Sequence, residues 1–179
     1  MERLPFSATV AATAYDGLAP LPVAVVLDQV RSAYNTGAFL RTADAAGLER
    51  VYLCGITPTP AGAPVRKTAL GAEETVGWEY CADALVALRS LRARGFEIAA
   101  IETSARAVDL FDWRPRFPLA VVFGNEVDGL TAEVLEACDT HVRLPMLGRK
   151  HSLNVATAGG VVLYEVLRKY RRLREGVAW

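Results

Sequence analysis

LPMLGRKHSLNVATAGGVVLYEVLRKY, residues Leu144 to Tyr170, divides at Ser152 into two kinds of chain. Its first half holds Pro145, Gly148 and the run Arg149, Lys150 and His151, with neither alternation nor a helical period, so it reads as a shaped loop. In its second half Leu153, Ala156, Gly160, Leu163, Leu167 and Tyr170 recur at three- and four-residue spacing, which predicts a helix with Ser152 as its N-cap. A polar loop is thereby delivered onto a helix N-terminus. Free backbone N–H groups, the positive end of the helix dipole and the Ser152 and Asn154 side chains can meet one ligand there, an anion by preference. Gly159 and Gly160 lie mid-helix, where each costs up to about 1 kcal/mol relative to alanine. Close packing of another backbone offsets such a loss, from this chain's own sheet or from a second subunit.

Upstream, short apolar runs alternate with helical patterns. Val23–Leu27 (VAVVL), Val51–Ile56, Phe96–Ile101 (FEIAAI) and Leu119–Phe123 (LAVVF) read as strands buried on both faces, and His141–Leu144 as a last short one. Ala33–Ala46 sets Phe39, Ala43 and Ala46 on one helical face, with Asn35 as candidate cap and Gly47 as the stop. Asp83 caps a helix carrying Leu85, Leu88 and Leu91 and ended by Gly95, and Thr131 opens a short one to about Ala137. Thr57–Thr75 has no clear period beyond a helical turn at Val65–Leu70, and Glu102–Pro118 reads as polar loop. The alternation predicts an α/β fold, a mainly parallel sheet with helices on both faces. At 179 residues the chain is expected to be one domain, 23–174, between a short arm (1–22) and a tail (175–179). Ligands of such a sheet bind outside the carboxyl ends of its strands, which brings three loops together: Asp28–Arg41, Gly124–Thr131 and Leu144–Asn154.

With 52% apolar and 22% charged residues, and no apolar run approaching the length of a membrane span, the chain reads as globular and soluble. No basic region leads into an apolar one after Met1, and Cys54, Cys81 and Cys138 match neither a disulfide framework nor zinc-ligand spacing. A cytoplasmic protein with reduced thiols, and with neither membrane nor metal as partner, is expected. The 20 Lys plus Arg balance 20 Asp plus Glu, which argues against holding nucleic acid by bulk charge. The positive residues are unevenly placed, however: Arg143, Arg149 and Lys150 flank the loop, and Arg168, Lys169, Arg171, Arg172 and Arg174 crowd the last helix. That second group reads either as an RNA-facing patch or as a solvated helix end complementing the dipole.

Dinucleotide, P-loop, zinc-protease and serine-hydrolase signatures are all absent from the sequence. Two histidines, His141 in a strand and His151 on a loop, give little support to a histidine-centred hydrolase. NTGAFLR (Asn35–Arg41) sets its end residues about 120° apart around a helix and roughly 9 Å along it, so both can line one cleft without touching. Taken alone it is a helix cap and a surface arginine. FGNEVDGL (Phe123–Leu130) puts Glu126 just past a strand end, between Gly124 and Gly129, which permit tight turns and close backbone approach. Taken alone it is a strand-to-helix connection of unusual charge density.

In this order and at these distances, NTGAFLR, FGNEVDGL and LPMLGRKHSLNVATA resemble the three motifs of the SpoU (TrmH-like) branch of the SPOUT methyltransferase superfamily. The resemblance covers Pro22 to Arg171, and Lys67–Trp78 is similar to the family's linking region. It implies an S-adenosylmethionine-dependent enzyme that methylates a ribose 2′-hydroxyl of RNA. It also implies a deep trefoil knot in about residues 119–174, which periodicity cannot reveal. A homodimer is implied as well, pairing the Ala33–Ala46 helix with the last one and so placing the mid-helix glycines in the interface. The cofactor would lie against Gly124, Asn125, Leu144, Pro145, Met146 and Leu153, largely on backbone atoms, which accounts for the missing dinucleotide fingerprint. Catalytic positions carried over are Asn35 and Arg41 from the first motif, Glu126 from the second, and Ser152 and Asn154 from the third. Arginine is always protonated, so Arg41 is expected to act by positioning and charge stabilisation unless an RNA phosphate assists. Arg41, Arg149, Lys150, Arg168, Arg171 and Arg172 are the expected RNA contacts. About twenty residues precede Val23, too few for an added RNA-binding domain, so tRNA is favoured over rRNA as substrate. The alternatives are a knotted RNA-binding or ribosome-assembly protein without catalysis, and a generic metabolite-binding α/β protein.

Overall fold

Seven strands form one sheet in the order β3-β2-β1-β6-β4-β7-β5: β1 Leu21–Asp28, β2 Leu48–Cys54, β3 Gly77–Cys81, β4 Glu97–Ile101, β5 Val108–Asp109, β6 Leu119–Phe123 and β7 Thr140–Arg143. Every paired neighbour is parallel. The computed structural model describes residues 19–175, so the expected arm and tail fall almost wholly outside the described residues. Alternation along β1 divides the interior. Val23, Val25 and Leu27 face one core, closed by α1 (Ala33–Ala46), α2 (Ala63–Ala69), α3 (Ala72–Thr75) and α6 (Val155–Arg174). Ala24 and Val26 face the other, closed by α4 (Ala84–Ala93) and α5 (Ala132–Glu136). Such double coverage is what makes the central strands continuous apolar runs.

The short β3, whose residues Gly77, Glu79 and Tyr80 are exposed, is an edge strand and shows no apolar run in the sequence. The two-residue β5 lies within what reads as loop, and it pairs only with β7. That pairing gives the sheet its least ordinary feature. β4 and β5 are consecutive along the chain, yet β7 lies hydrogen-bonded between them, so the later segment fills a gap left by the earlier one.

Two expected caps are corrected. Ser32, not Asn35, caps α1: its hydroxyl accepts from the Asn35 N–H at 3.3 Å, while the Asn35 side chain is engaged elsewhere. Asn154, not Ser152, caps α6, its Oδ1 accepting from the N–H groups of Ala156 (3.0 Å) and Thr157 (3.2 Å). The stop at Gly47 holds, with φ at 68°, the left-handed conformation glycine adopts without strain.

α1 and α6 pack against each other through Phe39, whose ring is tilted 56° to that of Phe123 on β6 with the centroids 4.9 Å apart. Gly159 lies under that ring, and a Cβ there would overlap it. Its close contact is thus within the chain, a correction to the expectation that both glycines serve a subunit interface. Gly160 faces open space, with nothing within 4 Å of a Cβ placed there. Gly159→Ala is expected to lose about 1–3 kcal/mol of stability in urea unfolding by overpacking against Phe39. Gly160→Ala should be neutral or gain up to about 1 kcal/mol in the same measurement.

Candidate active site

At the carboxyl end of β1 the chain turns through Gln29, with φ at 57°, into α1. Glu126, from the turn after β6, closes that helix end. Its Oε2 accepts from the Arg31 N–H at 2.9 Å, and its Oε1 accepts from the Ser32 N–H at 3.2 Å and from Asn35 Nδ2 at 2.8 Å. Burial works against the carboxylate's charge, but the donors of Arg31, Asn35 and Ser32 outweigh it and hold its pKa below the ordinary glutamate value. A negative group at a helix N-terminus gains further from the dipole. Asn125 anchors the same turn: its Nδ2 donates to the Gln29 carbonyl at 2.8 Å, and its Oδ1 accepts from Val127 and Asp128 N–H at 2.8 and 3.1 Å. Gly124 is required here, since a Cβ would collide with the Gly129 backbone.

Asn35 carries the connection onward. It is buried, and while its Nδ2 donates to Glu126 its Oδ1 accepts from Asn154 Nδ2 at 3.1 Å. Asn154 in turn caps α6. Residues of all three sequence motifs are therefore joined in one hydrogen-bonded chain, Glu126–Asn35–Asn154. Each amide is used as donor and acceptor at once, which fixes its orientation.

Beside this chain lies a cavity of about 490 Å³. Ile101, Phe123 and Val142 at the ends of β4, β6 and β7, with Leu130, form an apolar wall, and Leu144, Met146 and Leu153 line the loop side. Gly124, Asn125, Glu126, Ser152 and Asn154 also border it. Eight residues named from the sequence are thus brought together. Pro145 is not among the lining residues, and Asn35 is reached only through its partners. Arg41 is exposed on α1, away from the cavity wall, and Arg149 and Lys150 are exposed on the loop. Sequence reasoning missed Glu102 and Thr103, which follow β4 and line the cavity. The rule that placed the other loops at strand ends also covers the residues after Phe96–Ile101, and that signal was present.

The cationic end of α6 is not uniform. Arg168 binds Glu165 through two contacts, Nε to Oε2 at 2.7 Å and Nη2 to Oε1 at 2.6 Å. Lys169 points inward, its Nζ donating to the carbonyls of Phe111 (3.1 Å) and Trp113, and burial lowers its pKa. Arg168, Arg171 and Arg172 border a second groove of about 420 Å³ with Tyr164, Leu167 and Glu175. Among the described residues no group of His, Cys, Asp and Glu could hold a metal ion, and no helix is long and apolar enough to cross a membrane.

A wholly parallel α/β sheet with a cavity bordered by strand-end loops, and no glycine-rich phosphate loop, is the class of architecture in which the candidate site lies. The chain belongs to the SpoU rRNA Methylase family, whose model matches residues 22–164. A 23S rRNA (guanosine-2′-O-)-methyltransferase of Ralstonia nicotianae is 38% identical over 154 residues, covering 86% of this chain and 61% of that protein. The chain thus spans about three fifths of the length of the curated relatives it matches. Among solved structures, the AdoMet-bound rRNA methyltransferase of Sinorhizobium meliloti has a TM-score of 0.77 at 31% identity, covering 84% of this chain and 60% of that one. The A. aeolicus TrmH/SpoU tRNA modifying enzyme has a TM-score of 0.77 at 30% identity, covering 87% and 77%.

Because the Glu126 pKa is depressed on folding, its stabilisation is fully present above the ordinary value of 4.5 and is lost as pH falls through the lower folded value. Glu126→Gln is expected to lower unfolding free energy by about 1 kcal/mol at neutral pH, the modest size reflecting solvent access. The gap to wild type should narrow in urea titrations carried from pH 7 to below pH 4.5.

Proposed function

We propose that this chain is an S-adenosylmethionine-dependent RNA methyltransferase that modifies a ribose 2′-hydroxyl. The observation that carries the reading is the Glu126–Asn35–Asn154 chain, which joins the three motif loops at the edge of a cavity of about 490 Å³. That volume lies within the range of small-molecule sites, and the residues fit a nucleoside cofactor: apolar side chains for a base, backbone at Gly124, Leu144 and Met146 for polar edges. When bound, the cofactor supplies an electrophilic methyl group on sulfonium sulfur.

The chain's own residues supply position. Methyl transfer requires the attacking oxygen in line behind the methyl group, so alignment is a major part of catalysis. Asn35 and Asn154 are held rigid by their mutual bond and by Glu126. Ser152, exposed at the cavity, is free to bond the RNA ribose. Arg41 lies outside the cavity on an exposed helix face, where a guanidinium can grip RNA phosphate and so help to align the 2′-hydroxyl.

Two finer readings accompany this one. A trefoil knot is supported by the placement of β7 between β4 and β5, since a strand entering there passes the segment that links them. A homodimer is supported by Val161 and Tyr164 on one face of α6 and Tyr34 on α1, all exposed apolar side chains, and by the open flank of Gly160. For the substrate, the 23S rRNA relatives lend no weight to a preference for tRNA, so both RNA classes are assayed.

Calorimetry should show S-adenosylmethionine binding, and labelled methyl transfer to rRNA or tRNA should follow; absence of cofactor binding ends the proposal. Arg41→Ala is expected to cut transfer by about 100-fold or more while cofactor affinity stays within about twofold. Light scattering on the size-exclusion peak should return twice the chain mass of 19.3 kDa, and a monomer at micromolar concentration removes the dimer.

A further inference from the structure

Glu102 is the one carboxylate lining the cavity wall that none of the three motifs contains. Its backbone N–H donates to the Val142 carbonyl at 3.0 Å, which pins it at the β4 end beside β7. The side chain is fixed by two backbone donors, the Thr103 N–H to Oε1 at 2.9 Å and the Leu130 N–H to Oε2 at 3.2 Å. Room for it comes from Gly129, where a Cβ would overlap Oε2 and where φ of 68° favours glycine in any case. No Lys or Arg among the described residues forms an ion pair with it.

A carboxylate offers about four acceptor sites, and two of these are filled by backbone. The remaining capacity, half-buried in a cavity whose nearby wall is apolar, calls for donors from the ligand. A vicinal diol supplies two O–H donors at a spacing one carboxylate can accept. Phosphates, which supply only acceptors and like charge, are repelled. We propose that Glu102 receives the 2′,3′-diol of the cofactor's ribose and makes the site selective for an intact, unphosphorylated nucleoside. This rests on the cofactor reading above and assigns Glu102 a binding role distinct from that of Glu126, whose oxygens are committed to α1.

The test is calorimetric binding of S-adenosylhomocysteine, 5′-methylthioadenosine and the 2′- and 3′-deoxy forms of the latter to wild type and Glu102→Gln. Hydrogen bonds to a charged acceptor predict that wild type prefers the diol by about 10–100-fold, and that Glu102→Gln compresses this to within about threefold while still melting cooperatively. Wild type binding diol and deoxy ligands equally overturns the proposal without recourse to any variant. A uniform loss across all ligands in Glu102→Gln also overturns it, by showing a structural role. So does a loss confined to S-adenosylhomocysteine, which assigns the carboxylate to the ammonium of the amino-acid tail. Failure of wild type to bind any of these ligands removes the cofactor reading itself, and this inference with it.

Discussion

Everything at the site depends on one buried amide. Asn35 gives its N–H to a carboxylate 91 residues away and takes an N–H from an amide 119 residues away. No other side chain of similar size can do both. Aspartate lacks the donor, leucine lacks both groups, and serine is too short to span the two. Because Glu126 closes the N-terminus of α1 while Asn154 caps α6, the same bond also sets where two helices begin. Site geometry and secondary structure are here a single construction, so a fault in one is a fault in the other.

The sheet makes this meeting possible. Parallel strands bring their carboxyl ends to one edge, and loops remote in sequence then emerge side by side. Val23–Leu119 through Leu27–Phe123 run in register between β1 and β6, which leaves Asp28 and Gly124 as neighbouring exits. From those exits Asn125 reaches the Gln29 carbonyl, and Glu126 reaches the next turn. The helices α1 and α6, seated on the same sheet face and meeting at Phe39, bring Asn35 and Asn154 within reach of each other.

Much of this is legible in the sequence. VAVVL, FEIAAI and LAVVF announce buried strands because both faces of the sheet are covered, and the three motifs do converge. GWEYC is illegible for the opposite reason: an edge strand with three of its five residues exposed carries no apolar run. The caps moved by two or three residues because Ser32, Asn35, Ser152 and Asn154 are all cap-competent by type. Which of them caps is decided by partners far along the chain. Lys169 reads in sequence as part of a basic patch, but its acceptors are carbonyls at 111 and 113, which only the folded loop supplies. Glu102 does not stand out in sequence because a lone acid after a strand looks like solvent-facing loop, and only the fold sets Gly129 beside it to make room.

The insertion of β7 between β4 and β5 also bears on the order of events during biosynthesis. A nascent chain ending at residue 139 has β4 without its second neighbour and β5 without any, because β7 is β5's sole partner. Val142, Leu144 and the whole of α6 arrive later still, and with them one wall of the cavity and the acceptor-bound amide of Asn154. The cavity therefore takes shape only once residues through Asn154 are in place, and a chain ending at residue 139 lacks that wall altogether.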